Sequence, residues 1–307
     1  MAKQAVDRYV DLNGLRFHYR DWRGEGRDWR GSGRDRGGSG QPIVLLHGLA
    51  SNSHIWDLVA PILSERFAVI ALDQRSHGET EGTDDGYDFA TIAGDLGLFL
   101  EALDIQRPLL AGHSWGGNVV LEHAVAQPDK TAGLIFVDGG FISLQSRDGV
   151  TWEEMAERMA PPDLTQYTID QLVARSKENR WADMWRPEVE AVLRSSFATV
   201  EDGTIRPRLS RERHMKILRA LWDHRATDSF SRVKAPVLIL PARRDGEERP
   251  QNSNRPPKEE TVAKAESLLS RSRTVWMEDS IHDVPLQRPE LVAGAIIQAA
   301  EDGFFDS

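Results

Sequence analysis

Short, wholly apolar runs recur along the first half of the chain, each bounded by glycine, aspartate or proline. Three of them lie at residues 43–46, 67–72 and 133–137, and a fourth, 108–111, leads into Gly112. Runs of this length without polar alternation are typical of strands buried on both faces, as in parallel sheets. We expect these residues to form the centre of one sheet.

Amphipathic stretches with helical spacing separate these apolar runs, at residues 55–63, 89–103 and 118–126. Regular alternation of strands and helices implies right-handed crossovers and a mainly parallel, doubly wound sheet with helices on both faces. Before the first run, polarity alternates over residues 10–19 around Asn13-Gly14, a pair that favours tight hairpin turns. We therefore predict an opening β-hairpin.

The alternation stops between residues 141 and 232, where helical patterns follow one another. Thr151 to Glu154 and Thr168 to Gln171 both have the form of a capping box, which marks a helix start. We interpret this segment as an α-helical cap inserted into a core domain of residues 1–140 and 233–307.

The last quarter of the chain returns to strand and helix patterns. A strand is predicted at 236–240, a helix at 258–269, a short strand at 274–277 and a closing helix at 289–300. Near the other end, residues 23–40 are almost wholly glycine, arginine, aspartate and serine, with too little apolar surface to offset ordering. We expect them to form a long flexible loop that only connects its neighbours.

Composition narrows the class of protein. At 307 residues and 40% hydrophobic content, the chain can form one large α/β domain with an insertion. Its formal charge of −10 argues against general affinity for nucleic acid or anionic lipid. No cysteine is present, and no apolar run has the length of a signal-peptide core or a membrane span. We expect a soluble, cytoplasmic protein.

Candidate chemistry centres on Gly112-His113-Ser114-Trp115-Gly116-Gly117, which lies between a predicted strand and a predicted helix. In this context a serine flanked by glycines is typical of a nucleophile elbow, a tight turn that exposes the hydroxyl group. The positive end of the following helix would favour an oxyanion. The alternative is an ordinary serine in a glycine-rich turn, which the flanking elements disfavour.

A serine nucleophile needs a base, and the base needs an acid that orients it. Asp245 and His282, like Ser114, each follow a predicted strand at its carboxyl end, the edge where doubly wound sheets bind ligands. The three residues therefore occur in the order serine, aspartate, histidine.

These residues, together with His47-Gly48, residues 73–78 and residues 282–285, resemble the α/β-hydrolase-fold serine hydrolases that carry a helical cap. The resemblance covers residues 10–140 and 233–307 well and says little about the cap. It implies that Ser114 is the nucleophile, His282 the general base and Asp245 the acid. It also implies that the backbone amides of Leu49 and Trp115 form the oxyanion hole, and that no cofactor is needed.

One departure from the family pattern bears on the acid. Pro241-Ala242 stands where many relatives have an aromatic residue and a glycine before the acid loop. Asp138, after the preceding strand, is the alternative, because some relatives carry their acid there. Asp138-Gly139-Gly140 also fits an ordinary turn, so we prefer Asp245. Asp279 and Asp283 flank His282 too closely to reach around its ring, and we expect both to be solvated.

The predicted cap is rich in tryptophan and offers candidate substrate contacts. These side chains could line an apolar pocket, although simple packing within the cap is the more ordinary role: Trp152, Trp181, Trp185 and Trp222. The histidines show no H-x-x-x-H or H-E-x-x-H pairing, and we predict no metal site.

The leading hypothesis is a cofactor-independent hydrolase of small or medium carboxylic esters, acting through an acyl-enzyme on Ser114. Epoxide opening and dehalogenation of the usual family type need aspartate at the elbow and are set aside. Lactone, carbon–carbon, amide or peptide hydrolysis and perhydrolysis remain open, because the cap and the pocket decide the substrate. So does a non-catalytic small-molecule receptor. The sequence does not specify the oligomeric state.

Overall fold

The structure is a computed structural model, and it describes residues 4–24, 40–146, 149–178, 181–244 and 256–306. Most of the glycine- and arginine-rich segment 23–40, and Asp245 with it, lie outside the described residues. An eight-stranded sheet forms the centre, in the spatial order β1-β2-β4-β3-β5-β6-β9-β10. Its strands are β1 (Val6–Leu12), β2 (Leu15–Asp21), β3 (Pro42–Leu46), β4 (Ala68–Leu72), β5 (Leu109–His113), β6 (Gly133–Val137), β9 (Val237–Leu240) and β10 (Ser272–Thr274).

The predicted hairpin forms from β1 and β2, which pair antiparallel with Leu12 opposite Leu15. Asn13 and Gly14 both have positive φ angles, 50° and 75°, as a two-residue hairpin turn requires. Strand β2 also pairs antiparallel with β4, and every other pair in this sheet is parallel. The mainly parallel sheet predicted from the apolar runs is confirmed.

Helices cover both faces of the sheet. They are α1 (Ala60–Leu63), α2 (Phe89–Ala102), α3 (Trp115–Ala126), α8 (Thr227–Phe230), α9 (Lys258–Leu268), α10 (Val284–Gln287) and α11 (Pro289–Glu301). Alternate residues of one strand serve opposite faces: Val44 packs in the cluster that contains α2, α3 and α9, and Leu45 packs against α1 and α11. This is why the central strands are apolar at every position.

Between β6 and β9 lie α4 (Trp152–Met159), α5 (Ile169–Glu178), α6 (Pro187–Ser195) and α7 (Arg211–Asp223). Both expected capping boxes form at Thr151 and Thr168. The segment is not purely helical, because β7 (Phe197–Thr199) and β8 (Ile205–Pro207) make a small antiparallel hairpin. Its turn contains Gly203 at φ 83°, a conformation that glycine adopts without strain.

The helix expected over residues 55–63 is instead two pieces, a 3-10 turn at Ser53–Trp56 and the short α1. Pro61 explains the break: it has no N–H to donate to the carbonyl of Asp57, and its ring would clash with that carbonyl in a continuous helix. The final strand is also displaced. It pairs at Ser272–Thr274, and only a single bridge between Ala242 and Met277 follows.

A buried carboxylate joins the hairpin to the carboxyl edge of the sheet. Asp73, 1% exposed, lies 2.6 Å from Nδ1 of His18 and accepts hydrogen bonds from the amides of Ser53 and Glu79. Although burial opposes ionisation, these partners hold the pKa of Asp73 well below its usual range. The hydrogen bond to Asp73 and its negative charge in turn raise the pKa of His18 despite the burial of that ring. Asp73 is therefore a structural anion, distinct from the candidate chemistry.

No helix in the described part of the chain is long and apolar enough to cross a membrane.

Candidate active site

Ser114 lies on a strained turn between β5 and α3. Its backbone has φ 53° and ψ −125°, a conformation that a residue with a side chain rarely adopts. The turn is tight enough that a Cβ atom on Gly116 would lie 2.5 Å from the carbonyl oxygen of His47, and one on Gly112 would lie 2.3 Å from backbone atoms of Gly116. The structure thus has the tight strand-to-helix turn expected at Ser114, and the flanking glycines are required by close approach of the backbone.

His282 lies between β10 and α10, with its ring against the elbow. Its Nε2 is 2.9 Å from Oγ of Ser114, and its side chain is 49% exposed. His113 supports it from β5: the rings are 4.8 Å apart, and Nε2 of His113 is 2.8 Å from the carbonyl oxygen of His282. Burial and the nearby His282 lower the pKa of His113 to about 4, so His113 is neutral and donates this hydrogen bond.

The carboxylate bonded to His282 belongs to Asp138, the residue directly after β6. Its Oδ2 lies 2.7 Å from Nδ1 of His282, while Oδ1 accepts from the amide of Ala242 at 2.9 Å and from Nζ of Lys258 at 2.7 Å. Asp138 is 4% exposed. Asp245, which we preferred from the sequence, lies outside the described residues. Nδ1 of His282, the ring nitrogen that an acid would orient, is bonded to Asp138, the alternative acid.

Sheet register explains why Asp138 reaches this position. Strands β5 and β6 are adjacent and parallel, with His113 paired with Val137, so Ser114 and Asp138 leave the sheet side by side. The amide of Ser114 donates to the carbonyl of Val137, and the amide of Asp138 donates to the carbonyl of Leu240. Asp138 itself has φ 43°, which turns the chain away from the strand direction. The positions of Ser114 and Asp138 are thus fixed by neighbouring strand ends.

The charge state of Asp138 follows from its surroundings. Burial disfavours the ionised carboxylate, but the hydrogen bond from His282 and the positive charge of Lys258 outweigh it and hold the pKa of Asp138 at about 2. An ionised Asp138 accepts a hydrogen bond from the Nδ1–H group of His282, and that tautomer leaves Nε2 free to accept the proton of Ser114. The arrangement can deprotonate the serine hydroxyl.

The loop expected to contribute an oxyanion donor lies beside the nucleophile. A Cβ atom on Gly48 would be 3.0 Å from Cβ of Ser114, so this backbone passes directly over the serine. His47 holds the loop, because Nε2 accepts from the amide of Gln74 at 3.0 Å and Nδ1 lies 2.8 Å from the carbonyl oxygen of Gly48. The amides of Leu49, next in this loop, and of Trp115, first in α3, remain the predicted oxyanion donors.

The two aspartates that flank His282 differ. Asp279 has a largely exposed side chain, paired with Arg288 at 3.0 Å, in line with the expected solvation. The expectation was wrong for Asp283, which is 7% exposed and accepts a hydrogen bond from Nε1 of Trp181 at 3.0 Å. Spacing along the chain did not reveal this partner, because it comes from an element about one hundred residues away.

The four tryptophans of the segment between β6 and β9 all pack against other apolar side chains. Trp222 is 8% exposed, and its ring lies 6.1 Å from that of Trp152. The rings of Trp181 and Trp185 are 6.4 Å apart, and both border the cluster on the α1 side of the sheet. Packing is thus visible for every one of them, and contact with a substrate stays a prediction.

Sequence reasoning missed Lys258 altogether. A lysine at the start of a helix is ordinarily a solvated surface charge, and its ion-pair partner, Asp138, is far away in the sequence. Across the described ranges, no group of three or more histidines or acidic residues is placed to hold a metal ion.

A model of the alpha/beta hydrolase family matches residues 43–295. The first curated relatives, uncharacterised proteins of Mycobacterium tuberculosis and Mycobacterium bovis, are 38% identical over 101 residues. That match is 33% of this chain and spans 30% of theirs. A 2-(acetamidomethylene)succinate hydrolase of Mesorhizobium japonicum is 28% identical over 237 residues, 76% of this chain and 77% of the relative.

Solved structures show the same fold. The crystal structure of an E-2-(acetamidomethylene)succinate hydrolase has a TM-score of 0.76 at 23% identity, over 97% of this chain and 100% of that one. An esterase from Exiguobacterium antarcticum has a TM-score of 0.67 at 19% identity, over 96% of this chain and 100% of the esterase. The fold class predicted from the sequence is confirmed.

Proposed function

Because the chain belongs to the alpha/beta hydrolase family, we propose that it is a serine hydrolase whose catalytic triad is Ser114, His282 and Asp138. The observation that carries the proposal is the continuous hydrogen-bonded chain from the Asp138 carboxylate through the imidazole to the serine hydroxyl. Asp138 replaces Asp245 as the acid because its carboxylate contacts His282. The proposal keeps Ser114 and His282 from the triad expected on the basis of the sequence.

The reaction follows from these contacts. His282 removes the proton of Ser114 as the oxygen attacks the substrate carbonyl, and Asp138 stabilises the imidazolium that forms. The amides of Leu49 and Trp115 would stabilise the oxyanion, and return of the proton to the leaving group gives an acyl-enzyme. A water molecule, deprotonated by His282, then attacks the acyl carbon, and return of that proton to Oγ of Ser114 breaks the acyl bond and releases the acid. No cofactor enters these steps.

We propose a small or medium carboxylic ester as the substrate, hydrolysed beneath a cap of residues 141–232. A serine elbow supports acyl transfer, whereas epoxide opening of the usual family type needs an aspartate there. Trp222 supports the position of the cap, since it belongs to the same buried cluster as Trp115, the neighbour of the nucleophile.

An amide is the second candidate substrate. The observation that favours it is the similarity to 2-(acetamidomethylene)succinate hydrolase along three quarters of both chains. The name of that enzyme describes a small dicarboxylic acid that carries an acetamido group. Amides and esters react through the same acyl-enzyme, so the triad serves either substrate.

Hydrolysis of p-nitrophenyl acetate, butyrate and octanoate by wild type and Ser114→Ala tests the proposal, with intact-mass detection of a fluorophosphonate adduct. We expect turnover and a single adduct for wild type and neither for the variant. Labelling without ester turnover would favour the amide, to be tested with 2-(acetamidomethylene)succinate. Absence of both labelling and turnover would refute the enzyme assignment and favour a small-molecule receptor.

A further inference from the structure

We propose that Lys258 is a positioning residue for the triad: its ammonium group fixes the Asp138 carboxylate and offsets part of the negative charge that this carboxylate presents to His282. This inference rests on the proposed function, because it assigns Lys258 a part in that same site.

The contacts divide the carboxylate between two tasks. Oδ2 of Asp138 faces His282, and Oδ1 faces Nζ of Lys258 at 2.7 Å and the amide of Ala242 at 2.9 Å. The same Nζ lies 2.6 Å from the carbonyl oxygen of Ala242. Lysine and backbone thus form a closed clamp on the oxygen that the imidazole does not use, and they set the direction in which the other oxygen points.

The location of Lys258 is unfavourable unless this clamp matters. It is the first residue of α9, where the helix dipole favours negative charge, and the next two residues are Glu259 and Glu260. Its side chain is only 36% exposed. A cation partly buried at the positive end of a helix needs a compensating anion, and Asp138 supplies it.

The electrostatic consequence follows from the groups around the two side chains. His282 faces Asp138 and the neutral His113, with Asp283 nearby; Asp138 faces His282 and Lys258. Beside Lys258, Glu259 lies 3.8 Å from the guanidinium of Arg243. Lys258 therefore offsets part of the negative field that Asp138 exerts on the imidazole.

Replacement of Lys258 by methionine removes the charge and keeps a long apolar stem. We expect the acidic limb of the pH profile of kcat/KM to move upward by about half a unit to one unit, after allowance for partial exposure of the ammonium group. Below the limb, kcat/KM then falls about three- to tenfold relative to wild type. Lys258→Arg retains the charge and should keep the limb near its wild-type position.

Lys264→Met is the matched control, because it removes the charge of an exposed lysine from the same helix. It should leave the profile unchanged. Thermal unfolding of each variant checks that it is folded. A folded and stable Lys258→Met variant whose kcat/KM profile has an unshifted acidic limb would overturn the inference. So would an equal shift in Lys264→Met.

A second readout separates this inference from the proposed function. The Nδ1 proton shared by His282 and Asp138 should give a far-downfield proton resonance whose pH titration needs no substrate. We expect its midpoint to rise in Lys258→Met. If wild type neither turns over nor is labelled, the proposed function fails, while equal midpoints in wild type and Lys258→Met would refute the role of Lys258.

Discussion

Replacement of Asp138 by asparagine tests the triad most sharply, because the two side chains have nearly the same shape. The amide oxygen can still accept from Lys258 and from the amide of Ala242, which are both donors. The NH₂ group is then directed at Nδ1 of His282. Nδ1 must become an acceptor, so the proton moves to Nε2, which faces Ser114. An imidazole in that tautomer cannot take the serine proton.

Two losses combine in this variant, one of charge stabilisation and one of the correct tautomer. A pKa of about 2 in place of the ordinary aspartate value of 3.8 means that the site favours the ionised carboxylate by about 2–3 kcal/mol. That preference, and the additional attraction to an imidazolium, are lost in the variant. Together with the wrong tautomer, we expect kcat to fall by about 10³–10⁴-fold, while KM changes little.

The assay is steady-state hydrolysis of the best p-nitrophenyl ester by wild type, Asp138→Asn and Asp245→Asn. Asp245→Asn serves as the control, since it makes the same chemical change at the acid preferred from the sequence. It should retain most of the activity. A severe loss in Asp245→Asn together with near-normal kcat in Asp138→Asn would refute the reasoning and move the triad's acid to Asp245.

Three further predictions concern the scaffold. Asp73→Asn should lower the free energy of unfolding by about 3–5 kcal/mol. Asp73 has a depressed pKa and contributes above pH ~4, whereas His18 has a raised pKa and contributes fully below pH ~6.5. The difference from wild type in urea unfolding should therefore be largest between these values, and a pH-independent difference would contradict the ion pair. Trp181→Phe removes the donor to Asp283 and should cost about 1–2 kcal/mol in the same measurement, and no loss would show that the bond is unimportant. Gly116→Ala places a Cβ atom 2.5 Å from a backbone oxygen and should reduce kcat for ester hydrolysis about 100-fold or more. A kcat close to that of wild type would show that the turn tolerates a side chain at this position.

Local patterns predicted the central sheet and the elbow well. Strands 133–137 and 109–113 are buried on both faces, and burial on both faces favours a continuous apolar run in the sequence. The glycines around Ser114 record a steric demand in the same way. Two local elements differ from the prediction. Pro61 breaks the helix expected over residues 55–63, and Gly203 lies in the turn of a hairpin within the segment expected to be helical.

The partners of several side chains in and beside the candidate site were not predictable by such patterns. Asp138 contacts Lys258 from 120 positions away, and Trp181 contacts Asp283 from 102 positions away. Such pairs depend on how strands stack and where helices dock, and neither quantity has a local signature. Chain order is compatible with either aspartate, and Asp245 was preferred because Asp138-Gly139-Gly140 also fits an ordinary turn.

The side-by-side exit of Ser114 and Asp138 from adjacent strands has an evolutionary consequence. The two residues inherit their spacing from the sheet, and His282 is held to them from the other end of the domain. With Asp138, directly after β6, as the acid, segment 245–255 carries no member of the proposed triad. Insertions and deletions in that segment would then remove none of the three triad side chains. A lineage with this arrangement can diversify there while its chemistry is conserved.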